Sequence, residues 1–253
     1  MSDVERIRDW LRMTDNAVVL TGAGISTDSG IADFRGPNGL WTKNPEAEKS
    51  AHIDNYMANA DVRVRGWQTR VDSPMFSAQP NAAHRAVAEL QTAGSVSWIV
   101  TQNIDGLHQA AGSPPESVLE LHGTIWRSRC MQCGDERPIE EALERVRAGE
   151  PDPPCLVCGG ILKSATISFG QSLDPDVLDR AAKVSAATPL MIVIGSTLGV
   201  YPAAGVVPLA VRNGATLVIV NNQETPFDDI ADIVIRDPIG DVVPALAPSY
   251  QRP

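Results

Sequence analysis

The sequence is short of basic side chains, and that shortage excludes one class of function. Lysine and arginine number 21 against 31 aspartates and glutamates, so the 253-residue chain carries a formal net charge of −10. A general nucleic-acid-binding protein needs a basic face that displaces counterions from phosphates. We therefore expect no specific nucleic acid partner. An acidic surface favours a basic partner instead, such as a lysine-containing peptide.

Long uninterrupted apolar runs are also missing. The charged N-terminus, MSDVERIRDW, lacks the apolar stretch of a signal peptide. Residues 184–211 have no charged side chain, but Pro189, Pro202 and Pro208 interrupt them. A membrane-spanning helix needs about 20 predominantly apolar residues without such breaks. The sequence therefore predicts no membrane partner and a cytoplasmic protein.

Cysteine is scarce, and every cysteine belongs to one of two C-x-x-C pairs: Cys130 with Cys133, and Cys155 with Cys158. Two such pairs can present four thiolates to one tetrahedral zinc ion. Two disulfides are the first alternative and are disfavoured in the cytoplasm. A redox C-x-x-C motif is the second, and it leaves the other pair unexplained. A zinc ion held by all four thiolates has no position open for water, so we expect one structural Zn²⁺.

Five short apolar runs predict buried strands. They are nearly continuous and rich in β-branched residues, which is typical of parallel strands that are covered on both faces. Helical patterns over residues 81–91, 140–147 and 175–187 lie between or beside them. Strands that alternate with helices predict an α/β fold with a doubly wound parallel sheet. The predicted strands are Ala17–Thr21, Val96–Thr101, Leu190–Ile194, Thr216–Val220 and Ile233–Ile235.

Two segments interrupt this alternation and predict a small inserted domain. Residues 37–78 are polar and compatible with helix, and residues 127–160 contain all the cysteines. We predict a Rossmann-like domain from residues 1–36, 79–126 and 161–253. The helical excursion at 37–78 and a zinc-ribbon module at 127–160 would form the small domain.

A glycine-rich turn follows the first predicted strand. Gly22 and Gly24 would let the backbone approach a pyrophosphate, and the helix start that follows would offer it N–H groups. The third glycine of the usual dinucleotide motif is absent, because Thr27 stands in its place. A tight strand-to-helix turn without a ligand is therefore an equal alternative.

The next segment places an acid, an aromatic ring and a base side by side. Asp33, Phe34 and Arg35 suit a ligand that has hydroxyl groups, a ring and phosphates. The alternative is a local salt bridge, with the phenylalanine in the core.

Polar residues also follow the second predicted strand. Gln102, Asn103 and Asp105 form a set that can recognise amide and hydroxyl groups, and open parallel sheets bind ligands at the carboxyl ends of their strands. Helix capping by Asn103 or Asp105 is the alternative.

Histidines near these strand ends receive separate predictions. His122 ends a short apolar run and can serve as a general base, although a lone histidine is more often structural. His84 has the pattern of an ordinary surface or helix histidine, and His108 is expected to support the Asp105 loop.

Two later strands also end in small or polar residues. Gly195-Ser196-Thr197 follows one, and Asn221-Asn222-Gln223 follows the other. Each turn alone is a weak signal. Four such strand ends in one sheet predict a binding site for a large polar ligand such as a dinucleotide.

Taken together, these motifs resemble those of the sirtuins, the NAD-dependent protein-lysine deacylases. The motifs occur in the order of that family and cover roughly residues 15 to 245 of the chain. They are GAGIS (22–26), GIADFRG (30–36), TQNIDGLH (101–108), LHG (121–123), the paired C-x-x-C set, GSTLGVYPAAG (195–205) and VNNQET (220–225).

The resemblance implies a Rossmann-like domain with a small zinc-ribbon and helical domain, and NAD and acyl-lysine would meet in the cleft between them. The implied residues near the pyrophosphate are Gly22, Ala23, Gly24 and Ser26, and those on or near the cofactor loop are Asp33, Phe34, Arg35 and Trp41. Near the nicotinamide ribose and carboxamide they are Gln102, Asn103, Ile104, Asp105 and His122. Near the adenosine half they are Gly195, Ser196, Thr197, Asn221, Asn222, Gln223, Ile239 and Asp241.

The resemblance also implies the chemistry, with His122 and Asn103 as catalytic residues. The acyl oxygen would attack the anomeric carbon as nicotinamide leaves, giving an alkylimidate. His122 would then take a proton from the ribose hydroxyl that attacks this intermediate. Water would complete the reaction, giving free lysine and 2′-O-acyl-ADP-ribose. The expected partners are NAD and an acyl-lysine protein or peptide, and the expected state is a monomer.

Three departures from the family pattern affect the expected specificity. Ala32 stands where the family usually has proline, and residues 164–171 read SATISFGQ where the family usually has a pattern such as P-D-V-V-x-F-G-E. Ser168, Phe169 and Gly170 are the implied substrate contacts. The Tyr-x-x-Arg pair of desuccinylating members is absent, and residues 67–70 (WQTR) come nearest to it. We therefore predict deacetylation over desuccinylation, with mono-ADP-ribosyl transfer and a non-enzymatic NAD sensor as alternatives.

Overall fold

The computed structural model describes residues 1–33, 36, 39, 43 and 52–249. Nine strands occur in these residues, and they form two sheets. The strands are β1 (Ala17–Thr21), β2 (Val96–Thr101), β3 (Val118–Glu120), β4 (Gly123–Cys130), β5 (Glu136–Pro138), β6 (Leu162–Thr166), β7 (Leu190–Ile194), β8 (Thr216–Val220) and β9 (Ile233–Ile235).

The large sheet has six parallel strands in the order β3-β2-β1-β7-β8-β9. Both faces are covered, as the continuous apolar runs predict. Ala17 and Val19 of β1 pack into one core cluster, whereas Val18 and Leu20 pack into the cluster on the opposite face. Since side chains alternate between faces along a strand, a strand buried on both sides needs an apolar residue at every position. The five predicted strands are confirmed.

Nine α-helices accompany the strands in the described part of the chain. Their starts carry recognisable caps: Ser2 and Glu5 form a capping box for the first helix, and Asp174 caps the helix that begins at Pro175. The helices are α1 (Asp3–Arg12), α2 (Ile53–Ala58), α3 (Ala60–Val71), α4 (Ala82–Thr92), α5 (Leu107–Ala110), α6 (Ile139–Arg147), α7 (Pro175–Ala187), α8 (Val206–Arg212) and α9 (Ile239–Leu246). Within the described ranges, none is both long and apolar enough to cross a bilayer.

The small sheet is antiparallel, with the order β5-β4-β6. It packs with α3 and α6 around a core that contains the fully buried Trp67 together with Leu143, Cys130 and Cys155. This sheet starts at Gly123 and ends at Thr166, whereas the zinc-ribbon module is predicted over residues 127–160. The pairing of β4 with β6 is long-range, and no local sequence pattern marks it.

The order of the strands also locates the point where a ligand can bind. β1 lies between β2 and β7, so the chain runs to opposite sides of β1 in its two halves. A crevice opens at the carboxyl ends of the strands at such a switch point. The segments that leave β1, β2 and β7 begin with Gly22, Gln102 and Gly195, which the sequence marks as candidate ligand contacts.

Candidate functional site

A cavity of about 890 Å³ lies at this switch point and extends to the small sheet and α3. Most of the predicted cofactor and substrate residues line it. These residues are Gly22, Ala23, Gly24, Ser26, Asp33, Gln102, Asn103, Ile104, Asp105, His122, Ser168, Phe169, Gly170, Gly195, Ser196, Thr197, Asn221, Asn222 and Gln223. The structure therefore brings together residues that lie as far apart in the sequence as Gly22 and Gln223.

The glycine-rich turn is shaped by its contact with the turn after β7. A Cβ atom at Gly22 would lie 2.7 Å from the carbonyl oxygen of Gly195, and one at Gly24 would lie 2.7 Å from the Cα atom of Gly195. The Gly24 N–H donates to that same oxygen at 2.9 Å. Both glycines are thus needed for two backbones to approach closely. Gly22, Gly24 and Gly195 all line the cavity, so its floor is formed there by backbone without side chains of these three residues.

The hydroxyl group of Ser26 connects this turn to the segment after β2. It donates to the Asp105 carboxylate at 2.7 Å and accepts from the Asn103 side-chain amide at 3.2 Å. The Asn103 amide also donates to the carbonyl oxygen of Gly22 at 3.1 Å. The other Asp105 oxygen accepts from the Leu107 N–H at 3.0 Å, an Asx-type turn just before α5, whose N-cap is Gly106. One carboxylate therefore both orders the start of α5 and positions Ser26.

His122 has one defined tautomer in the cavity wall. Its Nδ1 atom lies 2.9 Å from the carbonyl oxygen of Gln102. Because a carbonyl oxygen can only accept, Nδ1 carries the hydrogen and Nε2 keeps a lone pair. Burial lowers the pKa of His122 below its ordinary value, and the hydrogen bond to Gln102 offsets this only in part. His122 is therefore neutral at pH 7, with a ring nitrogen available as a base.

Two further histidines lie beneath the site. His84 and His108 are 0% and 1% exposed, and their ring centroids are 5.1 Å apart. Burial lowers the pKa of His84 to about 4 and that of His108 to about 3. His84 lies on a helix, as one of its two expected positions has it, but it is on the inner face of α4 and not at the surface, 3.4 Å from the Ser26 hydroxyl. His108 contacts Thr21 at 2.9 Å rather than Asp105.

The remaining predicted cofactor residues differ in outcome. Asp33 lines the cavity, and its carboxylate accepts from the Gly36 N–H at 3.0 Å. Phe34, Arg35 and Trp41 lie outside the described residues. Ile239 and Asp241 do not reach the cavity.

Ile239 and Asp241 lie outside the cavity because they belong to the first turn of α9. Ile239 packs against the apolar core, and the Asp241 N–H donates to the Pro238 carbonyl at 3.0 Å. The resemblance implies both residues near the adenosine half, in a last loop, whereas the structure has them in the first turn of α9.

The predicted substrate segment is fixed at two points. The Ile167 N–H donates to the carbonyl oxygen of His122 at 2.8 Å, and the carbonyl oxygen of Phe169 accepts from the Ile53 N–H at 2.9 Å. Gly170 has a φ angle of 76°, and a Cβ atom there would lie 2.4 Å from the His52 ring. This segment therefore extends from the histidine to α2 along one wall of the cavity.

Two cationic side chains that the sequence did not single out as ligand contacts also line the cavity. The Arg70 guanidinium donates to the carbonyl oxygen of Gly66 and to the Ser164 hydroxyl, both at 2.8 Å. The Lys163 ammonium is buried and donates to the carbonyl oxygens of Ser164, at 3.2 Å, and Thr166. Burial, with a contribution from nearby Arg70, lowers the pKa of Lys163 to about 7. Lysine is rarely buried, so a single sequence gives no signal for this position.

The four cysteines meet at the edge of the small sheet. Their sulfur atoms all lie within 4.8 Å of one another, with Cys130 to Cys158 at 3.5 Å and Cys133 to Cys155 at 3.7 Å. These separations are too long for disulfides, whose sulfur atoms lie about 2.0 Å apart. They approach the value of about 3.8 Å that a tetrahedron with zinc–sulfur bonds of about 2.3 Å requires. The arrangement fits one zinc ion and excludes the disulfide alternative.

Fold and site together define a class, the doubly wound α/β proteins that carry an inserted four-cysteine zinc-ribbon module. Residues 22–202 match the model of the Sir2 family. A Streptomyces coelicolor protein named NAD-dependent protein deacetylase 2 is 53% identical over 228 residues, which cover 90% of this chain and 95% of that protein. NAD-dependent protein deacetylase 1 of Bradyrhizobium diazoefficiens is 43% identical over 244 residues, which cover 96% and 94%. The chain belongs to the Sir2 family.

Solved structures agree with this assignment. A structure described as Sir2 with a p53 peptide and NAD⁺ matches with a TM-score of 0.85 and 37% identity, over 96% of each chain. One that contains Sir2, a deacetylated p53 peptide and 3′-O-acetyl ADP ribose matches with a TM-score of 0.88 and 37% identity, over 97% of each chain. The predicted family and fold class are thus confirmed.

Proposed function

We propose that this protein removes acetyl groups from protein lysines and consumes NAD in the reaction. The observation that carries this proposal is His122, a neutral histidine with a free Nε2 in the wall of the cavity that the glycine-rich turn also lines. The named relatives are NAD-dependent protein deacetylases, and the matched structures hold NAD⁺, peptide and an acetylated ADP ribose. NAD is the co-substrate.

The residues at the switch point fit a dinucleotide. The side-chain-free floor at Gly22 and Gly24 supports a pyrophosphate there, since backbone can approach phosphate closely only where no Cβ intervenes. Asn103 and Asp105 lie on the β2 side of this floor, where they would hold the nicotinamide ribose. The segments after β7 and β8 lie on the other side, where Ser196 would contribute to binding the adenosine half.

His122 would act as the general base of the reaction. Gln102 fixes the ring through Nδ1, so Nε2 can take a proton from a ribose hydroxyl. Once protonated, the ring would still donate to the same carbonyl oxygen, which stabilises the imidazolium form. NAD supplies the leaving nicotinamide and the anomeric carbon that accepts the acyl oxygen.

The zinc ion has a structural task in this proposal. Four thiolates complete its coordination and leave no position for substrate or water. Cys130 and Cys155 belong to the apolar core of the small domain, so the metal would hold that core together. The proposed domain division follows the two sheets, with residues 123–166 and the helices at 53–71 in the small domain.

Substrate peptide would lie along the segment from Ile167 to Gly170, which forms one wall of the cavity. The preference for acetyl over succinyl is supported by Trp67, which stands nearest to the tyrosine of the Tyr-x-x-Arg pair in desuccinylating members. Trp67 is buried in the small-domain core and offers no hydroxyl group. Arg70 does line the cavity, but Gly66 and Ser164 already accept hydrogen bonds from its guanidinium. We further propose a cytoplasmic monomer that has no nucleic acid or membrane partner.

The deciding experiment is a panel of one peptide whose lysine is acetylated, propionylated or succinylated, with nicotinamide release as the readout. We expect release that depends on NAD and is fastest with the acetyl peptide. Faster release with the succinyl peptide would overturn the acyl preference but leave the NAD-dependent reaction intact. Radiolabel from NAD that ends on protein, without deacylated peptide, would show ADP-ribosyl transfer instead. NAD binding without nicotinamide release would show a sensor.

A further inference from the structure

Three carbonyl groups of the segment that carries Asn103 and Asp105 are held by one short stretch of chain. The His122 ring donates from Nδ1 to the Gln102 oxygen at 2.9 Å. Further along, the Ile125 N–H donates to the Ile104 oxygen at 2.9 Å. Finally, the indole N–H of Trp126 donates to the Asp105 oxygen at 2.7 Å. Residues 122–126 thus hold the backbone of residues 102–105, on the nicotinamide side of the proposed site.

The third of these contacts joins the two sheets through a side chain. Trp126 belongs to β4 of the small sheet, whereas Asp105 belongs to the segment after β2 of the large sheet. A backbone amide can donate from any residue, but an indole N–H requires tryptophan at this position. The position of the Asp105 carbonyl therefore depends on one side chain of the small domain.

The surroundings of Trp126 fix the direction of this hydrogen bond. Phe76 packs edge-on against the indole, with ring centroids 5.3 Å apart and planes at 82°. On the other side, a Cβ atom at Gly106 would lie 2.7 Å from the indole nitrogen, and the φ angle of this glycine is 72°. Trp126 is 42% exposed, so the contact lies near the surface rather than in a core.

We propose that Trp126 is a positioning residue for the NAD-dependent reaction. Its N–H holds the Asp105 backbone, and the Asp105 carboxylate in turn holds the Ser26 hydroxyl at 2.7 Å. Trp126 therefore couples the position of the small sheet to the two polar groups on the NAD side of the cleft. Trp126 touches none of the reacting atoms in this account, and its action passes through Asp105.

The test compares two variants that separate the hydrogen bond of Trp126 from its packing against Phe76. Trp126→Phe keeps a ring beside Phe76 but removes the N–H donor, whereas Phe76→Leu removes the aromatic neighbour and keeps the donor. For Trp126→Phe we expect a three- to ten-fold rise in both the KM and the calorimetric Kd for NAD, the size expected for one lost hydrogen bond. The KM for acetyl peptide, the zinc content and the unfolding midpoint should stay as in the parent protein. Phe76→Leu should change NAD affinity less than two-fold.

A merely structural role of Trp126 predicts a different pattern. Equal weakening of NAD and peptide binding with a lower unfolding midpoint, or equal effects of the two variants, would overturn the proposal, as would unchanged NAD affinity in Trp126→Phe. The inference rests on the proposed function for its activity readout only. If the parent protein binds NAD but releases no nicotinamide, the proposed function fails, and the calorimetric comparison still decides the role of Trp126.

Discussion

The two sheets of this protein hold their buried polar groups in different ways. At the edge of the large sheet, Ser26, Asn103 and Asp105 bond to one another, and the histidines beneath them are neutral. In the small domain, four thiolates converge on a metal site, and two cations lie in the cavity wall. The first arrangement orients groups toward a ligand, whereas the second holds a small core together. Changes at the polar groups that face the ligand should therefore affect catalysis, and changes at the cysteines should affect folding.

The largest expected effect is on the metal side of this comparison. Cys130→Ala removes one ligand from a closed four-thiolate site, and structural zinc in small modules contributes on the order of 10 kcal/mol to folding. We expect loss of zinc, loss of the small-domain fold and loss of activity together, measured by metal analysis, circular dichroism and deacetylation. A chelator should have the same effect on the parent protein. Retained fold and activity without zinc would remove the metal from its structural role.

His122→Ala should show the opposite pattern. Loss of a general base lowers kcat by about 10²- to 10⁴-fold, while the unfolding midpoint and zinc content should remain as in the parent protein. The measurement is steady-state deacetylation with an acetyl peptide, alongside thermal unfolding. A variant that keeps full activity would exclude His122 as the base.

The pH dependence of stability should separate the buried histidines from the metal site. Unfolding releases His84 and His108 to an ordinary pKa of 6.5, whereas in the folded protein their pKa values are about 4 and about 3. The unfolded chain thus binds more protons between these values, so the unfolding free energy falls as pH drops below 6.5. These two protons contribute up to about 3 kcal/mol per pH unit to the slope; the lowered pKa of His122 adds to it, and Glu120, whose pKa burial raises to about 7, opposes it.

Urea unfolding of the parent protein at several pH values between 4 and 7 measures this slope. His84→Gln should reduce it by up to about 1.4 kcal/mol per pH unit, because one titrating group is gone. An unchanged slope in that variant would show that His84 is not the group whose protonation destabilises the fold.

The smallest expected effect concerns the buried cation of β6. Lys163→Met keeps the length of the side chain and removes a charge that lies near Arg70. Since buried charges carry a desolvation penalty, we expect the unfolding free energy to change by less than about 1 kcal/mol. A loss of more than about 2 kcal/mol in chemical denaturation would show that the hydrogen bonds to Ser164 and Thr166 outweigh that penalty.

The sequence predicts the large sheet well because its strands are buried on both faces and therefore leave continuous apolar runs. It does not predict β3, which has three residues, or β4 to β6, whose faces are mixed and whose pairing spans the cysteine module. The candidate site is predictable where small or polar residues directly follow a strand, as at Gln102 and Gly195. It is not predictable where a side chain that is distant in the sequence completes the site.

Arg70, Lys163 and Trp126 are of this second kind. Each lies on an element of the small domain. Arg70 and Lys163 line the cavity, and Trp126 contacts the backbone of Asp105. His84 shows the converse, since a histidine within an ordinary helical pattern proves to be buried beside Ser26. Burial of a single polar residue depends on tertiary packing, which the local pattern does not contain.

The measurement that tests the central claim most directly is the stoichiometry of products from one acetyl-lysine peptide and NAD, followed by mass spectrometry. The account predicts equal amounts of nicotinamide, deacetylated peptide and acetylated ADP-ribose from the parent protein, and neither deacetylated peptide nor acetylated ADP-ribose above background from His122→Ala. Deacetylated peptide that forms without NAD consumption, or nicotinamide release without deacetylated peptide, would contradict it.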